Sequence, residues 1–319
     1  MRLTTLTSQL FLAASLTAAS LAQAAEPWPQ AKPINWIVGF APGGSVDVIT
    51  RAFAQQVGAA LGQSVVVENR PGGSGAIGLS AAARAPADGY TLVTMAGPIL
   101  YTGQVPELGK DLSGVATLAE GAVVLVGTAD GPPDFAALAE AIRREPSRFA
   151  FASSGIATNQ HIAGEMLNLA LDADMLHVPY KGGGQAVMDI VGGQVQLGML
   201  GVSAVLEQVR NGKLIAYAVT SPTRVDALPD VPTLQEVGIP GFEATQWYVA
   251  AVPAGTPEEV RDGLNVAIGK ALESDEIRQL LALNGMSLPS AAAQDPEALV
   301  RRALDQAWQV AREAKVELQ

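Results

Sequence analysis

Short apolar runs alternate with amphipathic stretches along almost the whole chain, and several of the runs end in a glycine- or serine-rich loop that opens the next helical pattern. Strands that cross over through helices to parallel neighbours leave this trace, so the fold class is α/β. Ile34 to Phe40 reads as a buried strand followed by the loop Ala41-Pro42-Gly43-Gly44. Ser45 then stands as the N-cap of a helix whose inner face carries Ile49, Ala52, Phe53, Val57, Ala60 and Leu61. The same order returns from Ser64 to Glu68 into Asn69-Arg70-Pro71-Gly72-Gly73-Ser74-Gly75 and an alanine-rich helix ending near Pro86, with a strand from Tyr90 to Met95 after it. It returns at Phe149 to Ala152, where Ser153-Ser154-Gly155 leads to a helix near Thr158, and at Leu176 to Val178, where Pro179-Tyr180-Lys181-Gly182-Gly183-Gly184 leads to another. Thr256-Pro257-Glu258-Glu259 reads as a capping box with Pro at the first helical position. A last helix is expected from about Pro296 towards Lys315, with Trp308 as a packing residue.

Residues 1–24 read as a cleavable secretory signal: Arg2 is the only charge, an apolar stretch runs from Leu10 to Leu21, and Ala22-Gln23-Ala24 offers a small-residue cleavage site. Ser15, Thr17 and Ser20 interrupt that stretch, which falls short of the roughly 20 apolar residues a membrane span needs. With no cysteine anywhere there is no lipid-attachment Cys, disulfide or thiolate nucleophile, so a freely diffusing periplasmic monomer is expected. The remaining length exceeds what one core organises, and two domains are expected. Residues 122–129 and 243–253 read as passages between them, which gives domain 1 as 26–123 plus 250–319 and domain 2 as 124–249.

Once Arg2 is removed, 19 basic side chains face 31 acidic ones, a net charge of −12 that argues against nucleic acid as a partner. A small anion stays compatible, because donors inside a cleft decide its binding. Four of the loops lie at carboxyl edges of parallel strands, where open α/β sheets take ligands. Each also opens a helix, whose first N–H groups are unpaired and carry partial positive charge. Turn chemistry explains any one of these loops alone; four that face each other point to a ligand cleft.

No phosphate-binding glycine motif is present, and Gly72-Gly73-Ser74-Gly75 runs into Ala76 rather than completing a nucleophile elbow. Only His161 and His177 could serve as bases or metal ligands, and neither has a nucleophile or carboxylates at a working spacing. The expectation is no enzyme, no metal and no cofactor.

The ordered motifs from Ile37 to Asp47, Val67 to Gly75, Asp88 to Leu92, His177 to Gly183, Gly192 to Val195 and Ala227 to Thr233 together resemble those of the extracytoplasmic solute receptors of tripartite tricarboxylate transporters, the Bug-type binding proteins. The resemblance covers essentially the whole chain after the signal. It implies a two-lobed periplasmic binding protein fold, type II-like, in which two α/β domains joined by two crossing strands close on a small organic carboxylate. The implied partners are a large and a small integral membrane transporter subunit; presentation of the ligand to a membrane sensor kinase is the alternative.

The site residues implied in one lobe are Phe40, Ala41, Pro42, Gly43, Gly44, Ser45 and Asp47, with Gly72, Gly73, Ser74, Gly75 and Ala76. The facing lobe contributes Ser153, Ser154, Gly155, Thr158, Asn159 and His161, with Lys181, Gly182, Gly183, Leu200 and Gly201. Hydroxyl donation from Ser154 and Thr158 is expected. Two departures stand out: Leu200-Gly201 replaces a common Asp-Asn pair, and the stretch from Tyr101 to Leu112 is shortened. An apolar wall at Leu200, joined by Trp247 and Tyr180 if they face the cleft, would favour an aromatic or sparsely hydroxylated carboxylate over citrate; the alternative is that Leu200 points into the sheet core and both aromatics pack elsewhere.

Overall fold

The computed structural model describes residues 27–100 and 105–313, so the signal reading and residues 101–104 lie outside the described residues. The first lobe opens with β1 (Ile34–Val38), α1 (Ser45–Leu61), β2 (Val65–Asn69), α2 (Ala76–Ala83) and β3 (Thr91–Gly97). After β4 (Leu112–Thr128), the second lobe holds α3 (Phe135–Arg144), β5 (Ala150–Ser153), α4 (Asn159–Leu171), β6 (Leu176–Pro179), α5 (Gly183–Val191), β7 (Leu197–Gly201), α6 (Val202–Arg210) and β8 (Leu214–Val219). The chain returns through β9 (Thr245–Pro253) to α7 (Glu258–Glu273), α8 (Asp275–Leu283), β10 (Met286–Ser287) and α9 (Pro296–Glu313).

The strands run in the order β2-β1-β3-β9-β4-β7-β5-β6, with β8 and β10 also paired to β4. Within the lobes β1 is parallel to β2 and β3, and β5 is parallel to β6 and β7, as crossover helices require. The long strand β4 joins them. From Leu112 to Ala122 it pairs antiparallel with β9; from Val123 it pairs with β7, and from Val124 with β8. One continuous strand therefore belongs to both lobes and changes partners between Ala122 and Val123.

Both faces of each sheet are covered, which is why the strands read as apolar runs rather than alternating ones. In the first lobe Trp36, Val38 and Tyr248 pack on one face with Phe53 and Ile268, while Ile37, Val93 and Val249 pack on the other with Leu79 and Val300. In the second, Val123 and Leu125 meet Phe151 and Leu167, while Val124 and Val126 meet Ile190 and Leu200. A smaller cluster of Leu100, Ala157, Ile162, Ala307 and Ala311 ties α9 to α4 across the lobes.

Two helix starts differ from the sequence expectation. Gly44, not Ser45, is the N-cap of α1, and it has no side-chain cap, so Ser45 is already the first helical residue. Pro257 caps α7 in place of Thr256, whose hydroxyl donates to Pro253 O at 2.7 Å instead.

Gly164 shows packing overriding helix propensity. It sits in the interior of α4, where alanine would gain roughly 0.5–1 kcal/mol on propensity alone. A Cβ there would stand 2.1 Å from the ring of Phe151, which is 1 % exposed and cannot retreat. Gly164→Ala is expected to lower unfolding stability by about 1–3 kcal/mol in urea titration. A gain in stability would contradict this reading of the contact.

Candidate functional site

The carboxyl edges of the two parallel sheets face each other, and a small cavity of about 40 Å³ lies between them. Phe40, Gly44, Ser45 and the run from Ala96 to Ile99 line it from the first lobe; Ser154, Thr158, Asn159, Gln160, Gly183, Gly201 and Ala204 line it from the second. Gln246 and Tyr248 of β9 complete the wall. Four helices, α1, α4, α5 and α6, begin at this cavity. The N-caps of three of them, Gly44, Gly182 and Gly201, supply no side-chain cap. Their first-turn N–H groups thus bring partial positive charge to a wall that contains no charged side chain.

Two buried side-chain groups at the cavity are also under-used: Asn159 Nδ2 makes no hydrogen bond in the protein, and Ser45 Oγ has no partner in good hydrogen-bonding geometry, only the Tyr248 hydroxyl beside it. A buried amide NH2 left this way costs about 1–3 kcal/mol, so both groups suit an acceptor from outside the chain. Gly201 is needed for close approach: a Cβ there would meet Ser45 Oγ at 2.4 Å and Gln246 Nε2 at 2.9 Å. Tyr248 is fully buried beside Ser45, and burial pushes its phenol well above the ordinary range, so it stays a neutral hydroxyl.

The rest of the loops hold the cradle and the lobe contact. Ala41 N–H donates to Lys181 O at 3.2 Å, Ser74 Oγ to Ile156 O at 2.8 Å, and Leu100 N–H to Ala157 O at 2.9 Å, so the lobes meet directly. Gly182 and Gly155 make this possible, the first lying against Ala41 and the second against Ser74. Pro42, Gly43, Gly72, Gly73, Gly75 and Ala76 do not reach the cavity; Gly75 packs on Gly39, Ala76 is the first residue of α2, and the others shape the turns that precede α1 and α2.

Asp47 is turned away from the cavity. Burial pushes its carboxyl up, but hydrogen bonds from Arg51, Gly43 N–H and Asn69 outweigh that and hold it below its ordinary value. The carboxylate therefore ties the Phe40–Ser45 loop to α1 and leaves the anion site unopposed. In the second lobe Ser154 Oγ donates to Gln160 Oε1 at 2.8 Å and Thr158 Oγ1 to Gly155 O at 2.8 Å. Both hydroxyl protons are spent inside the loop, contrary to the expectation that they donate to a ligand.

His161 and His177 stand behind the cradle, with ring centroids 3.7 Å apart. His161 Nδ1 accepts from Ala157 N–H at 2.9 Å, holding Ala157 at φ 60°, a left-handed conformation rare for alanine. Ser153 Oγ lies 2.6 Å from His177 Nε2. Neither histidine nor Ser153 lines the cavity.

Three expectations about the ligand wall are corrected. Leu200 is fully buried in the second lobe's core with Val124 and Ile190, because strand ends in a two-sided sheet point into packing. Trp247 lies on the opposite face of β9 from Gln246 and Tyr248 and lines a separate cavity of about 420 Å³ beneath α9. Tyr180 hydroxyl donates to Asp189 at 2.6 Å. The aromatic wall does not form.

Gln160, Ala204, Gln246, Tyr248 and Ala96 to Ile99 went unread in the sequence. Period-two alternation along β9 was the available signal for Gln246 and Tyr248, since it separates them from Trp247. Among the described residues no cluster of three His, Cys, Asp or Glu side chains could hold a metal ion, and no helix is long and apolar enough to cross a membrane.

The sequence profile of the "Tripartite tricarboxylate transporter family receptor" matches residues 49–315. Among solved structures, the periplasmic binding protein BugD is 33% identical with a TM-score of 0.85, covering 92% of this chain and 100% of its own. A Rhodopseudomonas palustris protein with adipate superposes at 0.87 with 28% identity over 92% of this chain and 100% of its own. MatC from the same organism, with bound malate, gives 0.82 and 28% over 88% of this chain and 99% of its own.

Burial, and then the neighbouring His161, push His177 from 6.5 down to about 3. The unfolded chain takes up this proton near pH 6.5 and the folded one only near pH 3, so unfolding gains a proton in that window and stability falls with acidification. His177→Gln is expected to abolish about 2 kcal/mol of the loss seen between about pH 7 and about pH 5 in urea titrations. An unchanged pH slope would show that His177 is not the group responsible.

Proposed function

The chain belongs to the tripartite tricarboxylate transporter receptor family, a family of periplasmic solute-binding receptors rather than enzymes, and from that premise we propose that it captures a small dicarboxylate between its lobes. The observation that carries this reading is the convergence of four helix starts and two under-used polar groups on one cavity without a charged side chain. Neutral donors of fixed direction suit a carboxylate, which accepts several hydrogen bonds at once and gains from the helix dipoles.

The relatives solved with malate and with adipate support the ligand class. Gln160, Gln246 and the Tyr248 hydroxyl in the wall favour a hydroxy-acid such as malate, whose hydroxyl they can pair, over an unsubstituted chain such as adipate. The proposed motion is hinge rotation about the crossings at Ala122–Val123 and Ala244–Thr245, which divides the chain near residues 123 and 245 rather than 250, because all of β9 pairs in the first lobe. Delivery to a large and a small membrane subunit is the proposed fate of the ligand, and the signal reading supports the periplasm as its compartment.

Calorimetry with malate and adipate tests the ligand class, and malate is expected to bind more tightly. Ser45→Ala and Asn159→Ala should each weaken malate binding by about 1.5–3 kcal/mol, the range for hydrogen bonds to a charged acceptor. Unfolding stability should change less, because neither group has a well-formed hydrogen bond in the protein to lose. Failure of both acids to bind, or full affinity in both variants, would overturn the proposal.

A further inference from the structure

We propose that Thr220 is a positioning residue: it pins the two interlobe crossings to each other and so sets the range of lobe angles, and through it the affinity of a site it does not touch. The proposal rests on the receptor reading above. Thr220 is fully buried just past the end of β8. Its N–H donates to Val123 O at 2.9 Å, and its carbonyl accepts from Ala244 N–H at 3.1 Å. Its hydroxyl oxygen accepts from Val123 N–H at 2.9 Å and lies 2.6 Å from Ala244 O and 3.0 Å from Val123 O.

These partners mark the two crossings. Val123 is the first residue of β4 to pair in the second lobe, whereas Ala122 is still paired with Thr245 of β9. Ala244 immediately precedes β9 on the return path. The β8 ladder with β4 ends at Val124 and Val219, one residue short of the crossing, and Thr220 supplies the link beyond it. One hydroxyl proton serves one carbonyl at a time, and the shorter distance assigns it to Ala244. Without that hydroxyl, a buried carbonyl on one crossing and a buried N–H on the other lose a partner together.

A pinned pair of strands bends as one unit about a single axis. Without the hydroxyl the Thr220 backbone bonds and the Ala122–Thr245 pair remain, but the link between the crossings loosens, the lobe angles spread, and the fraction of molecules in the binding-competent arrangement falls. Apparent affinity falls in proportion to that fraction.

The absence of cysteine gives a clean background for labelling. Val66→Cys on β2 and Met188→Cys on α5, both at exposed positions, place one spin label on each lobe. Pulsed-dipolar distance distributions are then compared in the labelled parent, Thr220→Val and Thr220→Ser, first without ligand and then with malate or adipate. The ligand-free Val variant is expected to show a broadened distribution and several-fold weaker malate or adipate binding, while Ser, which keeps the hydroxyl, matches the parent in both. Equal widths in the parent and a folded Val variant would overturn the proposal. If Val does not fold, amide exchange in the parent decides: Val123 and Ala244 protected like the centre of β4 would support the pin, and exchange at the rate of surface loops would overturn it. A parent whose distance responds to neither acid would sink the ligand-closure reading instead, and the ligand-free widths would still judge Thr220.

Discussion

A crossover helix that follows a parallel strand must begin where the strand ends, and the arrangement of this protein depends on that constraint. It places the starts of α1 and α2 along one edge of the first sheet and those of α4, α5 and α6 along one edge of the second. The shared strand β4 then turns the two edges towards each other. The unpaired N–H groups of several helices meet in one place because the topology leaves them no other.

A binding wall built this way differs from one built with lysine or arginine. A buried cation would need its own desolvation offset whenever the lobes part, whereas backbone N–H groups are part of helices that persist in either arrangement. The carboxylate nearest the site is already used: Asp47 is held by Arg51, Asn69 and Gly43 N–H, and its role is to fix the loop. The second lobe reaches the same end without charge, since Ser153, Ser154, Thr158 and His161 close a hydrogen-bonded loop around Gly155 and Ala157. Each lobe therefore presents a preformed surface, and Ser74 to Ile156 and Leu100 to Ala157 join the second-lobe loop directly to the first lobe.

The sequence displayed the loops more clearly than the directions of the side chains on them. Phe40 to Gly44, Ser153 to Thr158 and Gly182 to Gly183 were legible because glycine before a helical period marks a strand-to-helix turn whatever the packing around it. Ser45 was legible as a helix start, but a shift of one residue in the cap changes its hydroxyl from a backbone acceptor into a group facing the cavity. Leu200 and Trp247 failed for a related reason. In a sheet buried on both faces, hydrophobicity does not say which face a residue takes, and only the neighbouring Gln246 breaks the symmetry of β9. The wall from Ala96 to Ile99 carries no motif at all; it becomes a wall because β3 lies beside β9.

The central claim is that a carboxylate is held at once by helix starts from both lobes. Amide proton and nitrogen chemical shifts, followed by nuclear magnetic resonance during a malate titration, test it most directly. The account predicts that the amides of Ser45 and Val46 in α1, Gly183 and Gly184 in α5, and Val202 and Ser203 in α6 shift downfield along one common saturation curve. Shifts confined to the helix starts of a single lobe, or saturation with these amides unmoved, would contradict it.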